Sequence, residues 1–351
     1  MLDHQFLCDY IEKKRQEYNV AGIAVGVTDK HQTVFTGGFG VESVERPVLK
    51  VQPDTLFKIA SITKMITGIT VMKLVEEGLL DLDKPVIKYV PWLTLSRPEA
   101  AEKMTLRHLL CHGSGLSSEI RRGGPKDERY LEERLKKLLP ELEIFSMPGD
   151  GVFLYSNYGF VLASYIAQTV TGKQYSKLAT ELVLQPLGMT KTFYDLDVVV
   201  THSVALPHRE DQDGNLYVEH ILTTDATRFG SGEVFSNVED LCKLMRFFMN
   251  YGVADSGERI LSEESVKMML SPQIVRDDGG HHGFAVHIRN FGGTEIHGHT
   301  GYWPPYRASL FFDLKRGCGV ISLLNTNKEL IRDEIMQTVF EMTENERNTA
   351  L

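Results

Sequence analysis

The sequence predicts an α/β (α+β) protein in which strands from both chain ends form one antiparallel sheet and a large helical region is inserted between them. Three observations carry this. Short β-branched and glycine-rich runs lie at residues 21–39 and again from 284 to 324, whereas helix-period apolar spacing dominates the middle. Helix patterns also open and close the chain. Finally, the 351 residues are 42% hydrophobic and 24% charged, ordinary globular material with enough apolar mass for a sizeable core.

Taken in order, residues 2–17 place Leu2, Phe6, Leu7, Tyr10 and Ile11 on one helix face. Residues 21–27 and 33–39 read as two strands joined by a hairpin through Asp29–Gln32, and their many Gly and Ala residues imply something packed close against them. A buried helix follows from about Ser61 to Gly78, then a turn region and a short capped helix at 105–110. Helices are expected at 129–139, 158–170, 175–184 and 237–250, the last with Asn237 as N-cap. Strands are expected at 284–288, 294–297, 307–312 and 319–324, with a closing helix at about 329–342. The expected division is therefore residues 1–60 with 271–351 as a sheet-bearing unit and 61–270 as an all-helical insert, the site lying in the crevice between them.

Bulk charge narrows the partners. A formal net charge of −9 without a long Lys/Arg run disfavours nucleic acid and anionic membranes. The cysteines Cys8, Cys111, Cys242 and Cys318 have neither metal-type spacing nor disulfide density and read as reduced core residues. The chain opens straight into a helix without a basic and apolar leader, so a cytoplasmic setting is expected, although a trimmed secreted chain opens the same way.

Chemistry concentrates at three places. In Ser61-Ile62-Thr63-Lys64, residues three apart share a helix face, which brings the lysine amine to the serine hydroxyl. A serine hydroxyl becomes a nucleophile when a base takes its proton, and a lysine serves as that base when burial or a nearby cation lowers its pKa. The pattern S-x-x-K alone arises by chance about once in a chain of this size, and a serine opening a helix is commonly an N-cap. Tyr155 and Asn157 stand on a loop before a helix. A phenol beside an ammonium would have its pKa lowered and could shuttle a proton, while Asn157 could hold the lysine and a substrate amide. Read singly, they also fit a core aromatic and an N-cap. Further on, His299-Thr300-Gly301 leaves a strand, where a glycine lets a substrate approach and the Tyr302 N–H could join that of Ser61 in an oxyanion hole. His281-His282-Gly283 has the same form.

Together, Ser61-Ile62-Thr63-Lys64, Tyr155-Ser156-Asn157 and His299-Thr300-Gly301 resemble the three motifs of serine β-lactamase-like hydrolases. These comprise class C β-lactamases, D-alanyl-D-alanine carboxypeptidases, D-aminopeptidases and related carboxylesterases. Residues 155–159, 185–190 and 232–241 are also similar to family segments, so the likeness spans nearly the whole chain. It implies a β-lactamase/transpeptidase-like fold, with Ser61 as acylated nucleophile, Lys64 as its partner and Tyr155 as acid/base. It further implies Asn157 as a ligand of lysine and substrate, His299, Thr300 and Gly301 as the third motif, and the Ser61 and Tyr302 N–H groups as oxyanion hole. Two departures stand out. Class C β-lactamases carry lysine at the position of His299, which argues against efficient β-lactam turnover. Pro304-Pro305-Tyr306 stands where many relatives have Pro-Gly-aromatic, which stiffens the loop and places Tyr302, Trp303 and Tyr306 at the rim or packed beneath it.

The leading expectation is a serine hydrolase acting on a small ester, amide or short peptide, most of all an esterase or D-amino-acid-specific peptidase, with no cofactor and no metal. A carboxypeptidase or weak β-lactamase is the alternative within the class. Outside it stand a binding or scaffold member without turnover and a metallohydrolase using His281, His282, His287, His297 and His299, for which no H-E-x-x-H is present.

Overall fold

The computed structural model describes residues 2–118 and 124–350. Among these described residues, twelve strands form in chain order: β1 Gly22–Asp29, β2 Thr33–Gly40, β3 Phe57–Lys58, β4 His208–Glu210, β5 Leu216–Val218, β6 Phe235–Ser236, β7 Ile274–Val275, β8 His281–His282, β9 His287–Phe291, β10 Thr294–Trp303, β11 Tyr306–Asp313 and β12 Cys318–Leu324. Eight of them make one antiparallel sheet in the order β2-β1-β12-β11-β10-β9-β8-β7. The strands of the two chain ends therefore meet at β1 and β12, where Val25 lies opposite Ser322.

Side-chain alternation explains why both faces of this sheet must be covered. Val25, Val27, Phe311 and Val320 pack beneath helix α1 (His4–Glu17) and the closing helix Leu330–Ala350, through Leu7, Ile11, Ile335 and Val339. Their neighbours Ala24, Leu310, Phe312, Ile321 and Leu323 face the other way, into the main core. The helix Val238–Met249, capped by Asn237 accepting from the Asp240 N–H, lies on that second face against β1, β11 and β12. Gly26 shows why: a Cβ there would come within 2.9 Å of Cys242 Sγ and 3.1 Å of Val238 Cβ. At Gly26 the close packing implied by the glycines of β1 is this helix, which sequence order had put with the insert, whereas Gly22 is crowded by Val41 O and Val51.

Beside the sheet stands the helical region, built around helix α2 (Thr63–Glu76), whose residues from Thr63 to Met72 are all buried. A helix apolar on every side belongs inside its layer. The region is not all helical: β3 pairs with β6, and β4 with β5. Two further expectations change. Residues 284–286 form a buried turn instead of a strand, with Ala285 at φ 63°. The strand expected at 294–297 continues to Trp303, so His299-Thr300-Gly301 lies within β10 and not at its exit. Among the described residues, no helix is long and apolar enough to cross a membrane.

Candidate active site

Phe57–Lys58 pairs with Phe235–Ser236, and the chain then turns through the 3-10 segment Ala60–Ile62 into α2. Ser61 thus precedes the helix proper, and Lys64 sits in its first turn. One close contact and one strained residue mark this turn. Gly301 of β10 lies so near that a Cβ on it would be 2.3 Å from Ile59 O. Ala60, immediately before Ser61, is held at φ 48°, a left-handed conformation that costs a non-glycine residue of order 1–3 kcal/mol. The glycine of the third motif therefore serves the close approach of the Ser61 turn. Gly301→Ala should push Ile59 away, lowering stability by about 1–3 kcal/mol as overpacking does and reducing activity with it. Urea unfolding beside ester hydrolysis checks this.

The turn is also tied down by charge. Lys58 Nζ lies 2.6 Å from Glu233 Oε2, with side chains 2% and 0% exposed, and donates to Thr223 O at 3.0 Å. The pair joins the residues before Ser61 to the segment after Ser231. Removing one partner strands a buried charge, so Glu233→Ala should destabilise by about 3–5 kcal/mol, and Lys58→Met with Glu233→Leu should recover most of that. Equal urea midpoints for single variant and parent would contradict the assignment.

The three sequence motifs meet at Ser61. Lys64 Nζ lies 3.0 Å from Ser61 Oγ and donates at 2.7 Å to Asn157 Oδ1 and at 2.7 Å to Ser231 O. Tyr155 donates its phenolic proton to Ser61 Oγ at 2.8 Å. Ser156 between them is the N-cap of helix Asn157–Thr171, accepting from the Gly159 N–H at 3.2 Å. Asn157 is thereby freed from capping and placed at the helix start, facing the lysine.

Burial, seconded by the Arg228 guanidinium, holds the Lys64 pKa well below its usual value. A neutral amine donates two protons and keeps one lone pair. Asn157 and Ser231 take the two protons, which turns the lone pair toward the Ser61 hydroxyl. Tyr155 runs against expectation: burial raises its pKa, the Ser61 hydrogen bond and the Arg276 charge opposing only in part. It is a phenol at neutral pH, able to donate.

Ser61, Tyr155, Asn157 and His299 line a cavity of about 420 Å³ with Thr300 and Tyr302, within the range of small-ligand sites. Arg228 and Trp303 close another side; the guanidinium stacks 3.6 Å from the indole centroid. Tyr302 is 48% exposed at the rim, whereas Tyr306 is buried and donates to Ala205 O, so only the former is a rim residue. A larger cavity of about 980 Å³ beside Glu128, Ser176 and Tyr194 holds none of these groups. Size alone does not make it reactive.

The histidines converge differently from the sequence expectation. His297 stacks on Phe312 at 5.9 Å and lies 3.5 Å from Glu295. His112, absent from that expectation, joins His282 and His299 in one buried group, with His287 beside them at 4.0 Å from His299. Desolvation holds all four pKa values low, that of His282 at about 3. Ser231, Arg228 and His112 were the residues sequence reasoning missed.

The chain is 26% identical over 324 residues to protein flp of Staphylococcus aureus (strain COL), covering 92% of this chain and 63% of that protein. It is 28% identical over 288 residues to the uncharacterized protein MT1414 of Mycobacterium tuberculosis, covering 75% and 70%. The chain thus spans less than two thirds of the length of flp. Among solved structures, the octameric penicillin-binding protein homologue from Pyrococcus abyssi superposes with a TM-score of 0.82 at 26% identity, over 98% of this chain and 78% of that one. D-amino acid amidase from Ochrobactrum anthropi SV3, complexed with L-phenylalanine amide, gives 0.78 at 22% identity over 98% and 99%, a likeness of fold alone. The family model described as Beta-lactamase matches residues 7–338, and the chain therefore belongs to the Beta-lactamase family.

Proposed function

We propose that this chain is a serine hydrolase that cleaves an ester or amide bond of a small molecule or short peptide through an acyl-enzyme on Ser61, as an esterase or D-amino-acid-specific peptidase. The observation carrying this reading is the position of Lys64 Nζ among Ser61 Oγ, Asn157 Oδ1 and Ser231 O, with the Tyr155 hydroxyl on the same Oγ. Family membership and the amidase-like fold support it.

In the forward step, neutral Lys64 takes the Ser61 proton as Oγ attacks the carbonyl carbon. The resulting oxyanion faces the Ser61 and Tyr302 N–H groups. Tyr155 gives its proton to the departing oxygen or nitrogen and recovers one from the Lys64 ammonium, leaving the acyl group on Ser61. Water then attacks the ester: Lys64 accepts its proton and passes it to the departing Ser61 Oγ, the acyl group leaves as the acid, and the neutral amine and the hydroxyl are restored.

A neutral third-motif histidine supplies no cation to a carboxylated β-lactam. The test is a panel of activated esters, D- and L-amino acid amides and a penicillin. Esters and D-amides should be turned over, the D-forms at least tenfold faster than the L-forms, and the penicillin only slowly. Failure to hydrolyse any ester or amide by folded protein would leave a binding member of the family instead.

A further inference from the structure

The buried histidines behind Tyr155 are not used by the hydrolytic mechanism. His282 places Nδ1 2.8 Å from Gly283 O, and His299 places Nδ1 2.6 Å from Thr300 O. A carbonyl acceptor fixes the ring proton on Nδ1, so Nε2 of both rings carries a free lone pair. Among the described residues neither Nε2 has a hydrogen-bond partner, although both histidines are buried. His112 Nε2 is likewise unpartnered, and the ligand atoms of His112, His282 and His299 all lie within 4.8 Å of one another. Buried polar atoms without partners need an explanation, and three imidazoles with ligand atoms this close suggest a shared ligand.

We infer that His282 and His299, joined by His112, form a binding site for a divalent transition-metal ion of the Zn²⁺ class beside the Ser61 centre. Backbone carbonyls on the Nδ1–H groups are the outer contacts that orient metal-binding imidazoles. An all-nitrogen set suits Zn²⁺, Co²⁺ or Cu²⁺ and disfavours Mg²⁺ and Ca²⁺, which take oxygen. Access runs through the Ser61 cavity, which His299 and His287 line. The neighbouring Arg276 is engaged by Asp278 at 2.8 Å.

The three ligands are unequal. His112 Nδ1 accepts the Ser156 N–H at 3.0 Å, which puts the neutral ring's proton on Nε2. To bind metal it must carry that proton on Nδ1 and give up the Ser156 bond. His282 and His299 need no such change. They are the anchors, and His112 is the weaker third ligand. Because His299 shares the cavity with Ser61, occupancy should also slow hydrolysis, reversibly with EDTA.

The test uses the full chain stripped with EDTA and titrated with Zn²⁺, Co²⁺ and Mg²⁺ against a chromophoric competing chelator. One Zn²⁺ per chain should bind, Co²⁺ should show visible bands of nitrogen ligation, and Mg²⁺ should not bind. His282→Gln should weaken Zn²⁺ at least tenfold and His112→Gln less, while the metal-free His282→Gln protein keeps its ester hydrolysis. If His282→Gln proves unfolded by circular dichroism, His282→Asn takes its place. Absence of saturable 1:1 uptake, unchanged uptake in the His282 variant, or a larger loss in the His112 variant would overturn the assignment. Stoichiometry is read without turnover, so the site is tested independently of the proposed hydrolysis.

Discussion

Ser61→Ala should remove hydrolysis of activated esters down to the residual rate that positioning alone supplies, about 10³–10⁴ above the uncatalysed reaction in serine hydrolases generally. The loss should fall on kcat, because the hydroxyl makes the bond that defines the acyl-enzyme and contributes little to holding substrate. Structure should survive: Ser61 is not a helix cap, and among the described residues its Oγ is bonded only to Lys64 and Tyr155. Steady-state kinetics with matched urea melts separate the two effects. A variant that retains parental kcat would remove Ser61 from the mechanism.

Lys64→Met should lower kcat by about 10²–10⁴, the usual span of a general base. The pH behaviour distinguishes this lysine from an ordinary one. Activity needs the neutral amine, so it should rise with pH and level off well below pH 10.5, since burial and Arg228 depress the pKa. The linkage to folding has a definite sign. Between the low folded pKa and about 10.4, the unfolded chain holds the lysine proton and the folded chain does not. The unfolded state therefore binds more protons, and stability from this group rises with pH by up to about 1.4 kcal/mol per pH unit. Parent minus Lys64→Met, measured by urea unfolding from pH 7 to 9.5, should grow over that window. A constant difference would mean an ordinary, charged lysine.

Much of this was legible in the chain because it depends on local pattern. The glycines of β1 announced a close neighbour, Asn237 announced its helix, and Ser61 with Lys64 needed only helical spacing to meet. What escaped depends on tertiary packing. Ser231 reaches Lys64 through a backbone carbonyl, which no side chain advertises. His112 and His282 come from distant segments and meet only because β8 and the loop after the helix Leu106–Leu110 close over Tyr155. The Tyr155 pKa was expected to fall beside an ammonium; burial, which lowers the pKa of the lysine and raises that of the phenol, reverses it. Asn157 was credible as an N-cap until Ser156 took that place.

The claim on which the rest depends is that one hydroxyl carries the acyl group. Intact-mass analysis after brief exposure to a fluorophosphonate, followed by peptide mapping, reads it directly. A single adduct on Ser61, absent from Ser61→Ala and slowed in Lys64→Met, is the expected result. An adduct that persists in Ser61→Ala, or that maps to another residue in an active enzyme, would contradict it.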